Sequence, residues 1–188
     1  MTRAKAPIIQ ITPNEPRILE TVVFLISEAD RLGKQATQYD IVKSIFLADR
    51  RHLNEYGRPI TFDRYVAMEH GPVPSSVYDL LKKDPVAAGL PWTRIQTGAK
   101  TYRYTDAQRV FDEGILAESD CEALAESFVT VKSLGFAQIR KLTHEDPAYV
   151  DAWEDDSDKK SFDISYVMLY DVPALEKAQE LQFISEHL

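Results

Sequence analysis

Between Asn14 and Gly57 the apolar residues recur at three- and four-residue spacing in two separate runs, each with its own start and stop signals. Ile18, Leu19, Val22, Val23, Leu25, Ile26 and Ala29 make the first stripe, and Ile41, Val42, Ile45, Phe46 and Leu53 make the second. Such a stripe can be buried on one side only as an α-helix, because a strand would send alternate residues to opposite faces. Asn14 caps the first helix, Glu15 and Pro16 fit its first turn, and Gly33 stops it. Thr37 caps the second, with Asp40 three residues on as the acidic member of a capping box, and Gly57-Arg58-Pro59 breaks it. Two helices with broad apolar faces need further layers to cover them, so the expectation is a mainly helical domain.

Arg64–Met68 reads as a short strand or extended segment, and His70-Gly71-Pro72-Val73-Pro74 as a rigid turn, since each proline fixes its own torsion and restricts the residue before it. Ser75 to Lys83 is a short helix closed by Asp84-Pro85. Trp92 to Tyr104 predicts a hairpin turning at Thr97-Gly98-Ala99-Lys100. Ser119 and Glu122 predict a capping box for a helix with Leu124, Phe128 and Val131 on one face, ending near Gly135; another helix runs on through Ile139 and Leu142. A short helix from Pro147 to Trp153, a solvated loop from Glu154 to Lys160, and a helix opened by Pro173 with Leu175, Ala178, Leu181 and Phe183 complete the chain. The fold class expected is α+β: a helical core with a short extended segment and a small β-hairpin, an arrangement that a winged helix shares. Residues 1–13 are read as a flexible arm and residues 14–188 as a single domain.

Charge narrows the function. The net charge is -8, and it is uneven: residues 1–111 carry 16 Lys and Arg against 12 Asp and Glu, whereas residues 112–158 carry 3 against 13. An acidic middle repels phosphate, which argues against wrapping nucleic acid, and it favours encounter with a basic partner surface. No run approaches the roughly 20 apolar residues of a membrane span. The first residues lack the form of an export signal, and Cys121 is the sole cysteine, so a reducing cytoplasm is expected.

Catalytic motifs are missing. There is no Gly-rich phosphate loop followed by Lys and no His-Glu-x-x-His pattern, and one cysteine cannot build a thiolate metal site. No catalytic residue, metal or cofactor is therefore assigned. Cys121, between Asp120 and Glu122, reads as a structural thiol. The densest polar group is Asp49, Arg50, Arg51, His52, Asp63, Arg64, Glu69 and His70. Asp49 and His52 share a helix face. Asp49, His52, Asp63 and Glu69 read best as a structural network locking the 57–74 loops onto the second helix; with His70 they could alternatively ligate a metal or supply an acid–base pair. Arg50, Arg51, Arg58 and Arg64 beside Tyr56 and Tyr65 have the composition of an interface centre, or else pair internally with Asp49, Asp63 and Glu69.

The runs Phe46-Leu47-Ala48-Asp49-Arg50-Arg51-His52-Leu53, Tyr56-Gly57-Arg58-Pro59-Ile60-Thr61-Phe62-Asp63 and Tyr65-Val66-Ala67-Met68-Glu69-His70-Gly71-Pro72-Val73-Pro74, with Ser75 to Leu81, resemble the Panacea domain, also called the SocA-like or phage-associated GepA-like domain. The likeness is close over residues 41–83, and Leu142-Thr143-His144-Glu145, Ala152-Trp153 and the Ile164 region are similar to its later half. Phe62 departs from the family, which often has a small residue such as Gly there. The resemblance implies a bacterial or phage antitoxin, without catalytic activity of its own, that neutralises a protein toxin by direct binding. The residues themselves place the partner face at Arg51, Tyr56, Arg58, Arg64, His70, Pro72 and Pro74, with the acidic helices after Ser119 as a second candidate. The competing readings are a DNA-binding autoregulator using Arg94, Lys100 and Arg103 of the hairpin, an adaptor delivering the toxin to a protease, and a metal-dependent hydrolase using Asp49, His52, Glu69 and His70. The toxin's identity and the oligomeric state are not legible.

Overall fold

The computed structural model describes residues 5–155 and 158–188. Both leading helices form where their stripes predict. In α1 (Glu15–Arg31) the Asn14 side chain accepts from the Arg17 amide. In α2 (Gln38–Tyr56) Thr37 and Asp40 complete a reciprocal capping box, and Gly57 ends the helix in the left-handed region at φ 78°. The short strand β1 (Ala36–Thr37) lies between them, a two-residue element too brief to show in any periodicity.

The extended segment is β2 (Tyr65–Met68), as expected. The proline-rich stretch after it is not a turn but a strand, β3 (Gly71–Pro74), paired antiparallel with β2 from Met68–Gly71 to Tyr65–Pro74. Two prolines fit there because they stand at alternate positions on an edge strand, so both missing N–H groups point away from β2. The turn proper is Glu69-His70. A third strand, β6 (Phe162–Asp163), covers the other side of β2.

α3 (Ser75–Lys82) and a one-turn helix α4 (Pro85–Ala88) lead into the expected hairpin, β4 (Thr93–Gln96) and β5 (Tyr102–Thr105). β1 pairs with β5, so the sheet order is β1-β5-β4. Helix, strand, helix, helix and hairpin, with the early strand pairing onto the hairpin, is the order of a winged helix; here the β2–β3 hairpin is inserted before α3 and the one-turn α4 after it.

The long helix α5 (Glu118–His144) runs beside α2 and breaks its helical torsions at Gly135, where φ is 70° and ψ 177°, a conformation glycine adopts without strain. This is the stop read from the sequence. The cap differs from expectation: the Asp120 carboxylate accepts from the Ala117 amide, while Ser119 turns its hydroxyl to His52. α6 (Pro147–Ala152), a 3-10 turn Tyr166–Met168 and α7 (Leu175–Ser185) follow. In α7, Ala178 and Leu181 are buried, but Phe183 points to solvent. The expected loop at 154–160 lies partly outside the described residues, as do residues 1–4 of the expected arm. From Lys5 on, the arm is laid against the later chain. Ile9 exchanges backbone and side-chain bonds with Ser165 and Tyr166, and the Thr12 amide reaches the Ser185 hydroxyl at 2.9 Å.

α2 divides two cores. Ile41, Val42, Ile45 and Ala48 pack with α1, α3, the β1-β5-β4 sheet and the first half of α5. Phe46 and Leu53 turn the other way, to Ile11, Tyr65, Ala67, Tyr149, Ile164, Tyr166 and Leu181. The architecture is the mainly helical α+β fold that the sequence predicts.

Candidate functional site

Of the four residues that the sequence reads as a polar network, Asp49, His52 and Asp63 are buried and hydrogen-bonded, with His52 on partners of its own, and Glu69 is exposed. The buried Asp49 carboxylate accepts from the Ile60 and Thr61 amides at 2.8 and 3.0 Å, from the Thr61 hydroxyl, and from the Tyr65 phenol at 2.8 Å. This clamps the 59–65 loop onto α2. Burial pushes the Asp49 carboxyl up to about 6, against the pull of those hydrogen bonds. Asp63 accepts from the Arg64, Ser76 and Val77 amides at 2.7 to 3.0 Å, and so caps α3 from outside the helix. Burial raises its pKa as well.

His52 is fully buried and faces away from that loop. Its Nδ1 donates to the Arg58 carbonyl at 2.9 Å, and its Nε2 lies 3.1 Å from both Ser119 Oγ and Asp120 Oδ1. Desolvation holds its pKa below the usual histidine range. Asp120, unremarked in the sequence, is the hub here: buried, it receives Arg17 at 2.6 Å and Arg58 at 3.0 Å, so it joins α1, α2 and α5. No sequence signal marks it, because its partners lie far off along the chain.

Glu69 is the exception. It is exposed in the β2–β3 turn with His70, away from Asp49. Asp49, His52, Glu69 and His70 are thus not brought together, and among the described residues no three His, Cys, Asp or Glu side chains are placed to hold a metal ion. Cys121 is half-buried and its thiol is pushed up to about 11, first by burial and then by Asp120, which keeps it protonated.

The arginines named as a partner face are mostly occupied. Arg51 pairs with Glu55 and Glu126, Arg58 with Asp120, and Arg50 lies 3.1 Å from Asp146. Their partners are not the Asp49, Asp63 and Glu69 of the sequence reading. Tyr56 is 57% exposed and stacks on His52 at 4.4 Å. Arg64 is exposed, without a side-chain partner among the described residues, at the start of β2. Pro72 and Pro74, expected on a surface turn, are buried strand residues. His70 is exposed, its ring edge-on to Phe136 at 5.6 Å. Arg51, Tyr56 and Arg58 therefore sit at the C-terminal end of α2, while His70 and Pro72 lie toward its N-terminal end.

That second end holds a groove of about 540 Å³ that sequence reasoning missed. Tyr39, Val42 and Lys43 of α2, Met68, His70 and Val73 of the β2–β3 hairpin, Tyr78 of α3, Tyr102 of β5 and Phe136 of α5 line it. The break at Gly135 turns the chain so that Phe136, 52% exposed, meets the Tyr39 ring at 4.7 Å. Apolar and aromatic side chains drawn from five segments, with a few polar groups among them, are the ordinary make-up of a binding cleft.

Lys43 is the unusual member. It is 1% exposed, its Nζ donates to the Pro72 carbonyl at 2.8 Å, and the Tyr39 ring lies 5.5 Å away. No ion pair to it is formed among the described residues. Burial alone pulls its pKa down to about 7.

A family model for the SocA-like antitoxin, Panacea domain, matches residues 41–149, more than half of the chain. The protein belongs to the SocA-like Panacea antitoxin family. The span of this Panacea match runs from α2 through the 59–74 loops and both hairpins to α6, and takes in the Asp49 clamp, Asp120 with its His52 and Arg58 partners but not Arg17, and all of the groove except its Thr37–Tyr39 edge. No curated protein and no solved structure matches the chain significantly. Among the described residues no helix is long and apolar enough to cross a membrane.

Proposed function

We propose that this Panacea protein is the antitoxin of a bacterial or phage toxin–antitoxin pair. In this reading it acts in the cytoplasm, without catalysis, by binding a cognate protein toxin directly through the groove between α2, the β2–β3 hairpin and the β4–β5 hairpin. The observation that carries the reading is the groove itself: an open, aromatic-lined cleft in a chain whose arginines are largely committed to its own carboxylates. Truncation of a buried aromatic anchor costs a binding interface far more than removal of a rim charge that is already paired.

The DNA-binding alternative is weakened at the hairpin. Arg94 is tied to the Lys82 carbonyl at 2.6 Å and lies over the Tyr102 ring at 4.7 Å, so of the three hairpin cations it is held in place while Lys100 and Arg103 are left to meet phosphate, fewer contacts than a nucleic-acid reader needs.

The test is co-expression with the product of the neighbouring gene, scored by growth and by co-purification. Wild type restores growth and co-purifies. Phe136→Ala combined with Tyr102→Ala weakens the complex by at least thirty-fold, about 2 kcal/mol, and loses rescue. Arg51→Ala combined with Glu126→Ala leaves both within two-fold. A wild-type chain that neither binds nor rescues sinks the antitoxin reading; rescue lost only in the arginine variant moves the face to the C-terminal end of α2.

A further inference from the structure

The polar end of the groove carries an excess of basic groups: Lys43, His70 and Lys100 line it against the single carboxylate of Glu69. Lys43 uses one of its three N–H groups, on the Pro72 carbonyl, and meets no carboxylate within 4 Å among the described residues. His70 stands beside it on the groove lining. Arg140, on the part of α5 beyond the Gly135 break, makes a long 3.4 Å bond to the Glu69 carbonyl in the same turn. His144, one helical turn on, has a buried Nε2 without a hydrogen-bond partner among the described residues; burial first, and then Arg140 and Lys43, lower its pKa against a raising hydrogen bond to the Glu69 backbone.

In a chain of net charge -8, a buried ammonium that no carboxylate among the described residues reaches within 4 Å is a costly arrangement. An anion arriving from outside would offset the cost.

From this convergence we infer that the groove recognises a segment of the toxin in which a single acidic side chain, flanked by apolar or aromatic residues, sets its carboxylate against the exposed His70, over the buried Lys43 ammonium. The inference rests on the groove being the partner face. The apolar neighbours of the carboxylate lie against Tyr39, Tyr78, Tyr102 and Phe136. Strand addition at β3 does not supply the contact, because Pro72 and Pro74 lack N–H groups on its free edge and the Pro72 carbonyl is already taken by Lys43. Charge complementarity at one buried lysine also sets a direction: basic or uncharged apolar segments leave the ammonium unpaired and are rejected.

The experiment pans a displayed library of random seven-residue peptides, with both ends fused or blocked, against the full-length protein, and compares wild type with Lys43→Met and His70→Ala. Methionine keeps the length and packing of the lysine side chain, and His70 is exposed, so at least one variant keeps the fold; thermal melts of both check this. Enriched peptides are expected to carry one Asp or Glu between apolar residues. As synthetic blocked peptides they bind Lys43→Met at least ten-fold more weakly and His70→Ala several-fold more weakly, and exchange of Glu for Gln in the peptide reproduces the Lys43→Met loss. Enrichment of sequences without an acidic residue, absence of enrichment, or equal binding by wild type and both variants overturns the inference. A library with free C-termini that enriches where the blocked one does not also overturns it, in favour of a chain-terminal carboxylate. Failure of growth rescue by wild type would instead strike the antitoxin reading and leave the peptide result standing.

Discussion

Gly71→Ala is expected to destabilise the protein by about 3 kcal/mol or more, the sum of a strained backbone and an overpacked contact. Gly71 opens β3 at φ 99°, where an L-residue is strained whatever the space around it. A Cβ there would stand 2.6 Å from Thr143 Oγ1 and 2.9 Å from Lys43 Nζ. Neither neighbour yields easily: Thr143 is buried and bonded to the Ile139 carbonyl, and Lys43 is bonded to Pro72. Denaturant titration gives the magnitude. The combined variant Gly71→Ala, Thr143→Ala removes the closer clash and should recover part of the loss, and strict additivity of the two substitutions would refute the contact.

Asp49→Ala is the second large effect, with a loss of about 3 to 4 kcal/mol expected, because it leaves two buried amides, a hydroxyl and a phenol without their acceptor. Asp49→Asn should lose far less, since the amide still accepts from the backbone and no longer carries a buried charge. The pH dependence separates the two contributions. With the folded pKa raised to about 6 from an ordinary 3.8, the native state holds a proton that the unfolded chain releases. Stability from this group is fully present below about pH 4 and is lost as the pH rises through 6. Wild type should therefore lose stability relative to Asp49→Asn between pH 4 and 6.5, by up to roughly 3 kcal/mol for a shift of this size. A difference between the two proteins that stays flat over that range would show that the amide bonds to the carboxylate outweigh its desolvation.

Local signals carried the helical half of the fold into the sequence. Asn14, Thr37, Asp40, Gly57 and Gly135 are each readable because a helix end is settled by residues within a few positions of it. The β4–β5 hairpin was legible for the same reason. β1 and β6 were not, because two-residue strands are made by their partners, Tyr104 and Arg103 for one and Val66 and Ala67 for the other. The proline-rich β3 was read as a turn because local torsions say only that the chain is extended, and its pairing depends on β2. Phe62 stands at φ 51°, a left-handed torsion that glycine takes freely and that no local pattern announces. Here the ring, 4% exposed among Tyr65 and its neighbours, offsets the strain by burial.

The candidate site was legible only in its chemistry-poor half. The arginines stand out in the sequence because they are close together, yet the structure gives most of them to Glu55, Glu126, Asp120 and Asp146. The groove draws on residues from Tyr39 to Phe136, and no pattern along the chain joins them. Lys43 reads as one more solvated lysine on an amphipathic helix, and only its packing beneath Pro72 reveals a desolvated cation.

The packing of residues 5–13 against the later chain bears on how the protein is made. Ile11 belongs to the core that holds Ile164, Tyr166, Ala178 and Leu181, and the Thr12 amide waits on Ser185. During synthesis the first core can assemble as α1 to α5 emerge, but the second has neither its first nor its last element in place until residue 185 has been made. Contacts spanning almost the whole chain close slowly. A nascent molecule would therefore spend its longest interval with the groove side formed and the opposite face open, competent to meet a partner before it is fully shielded from proteases.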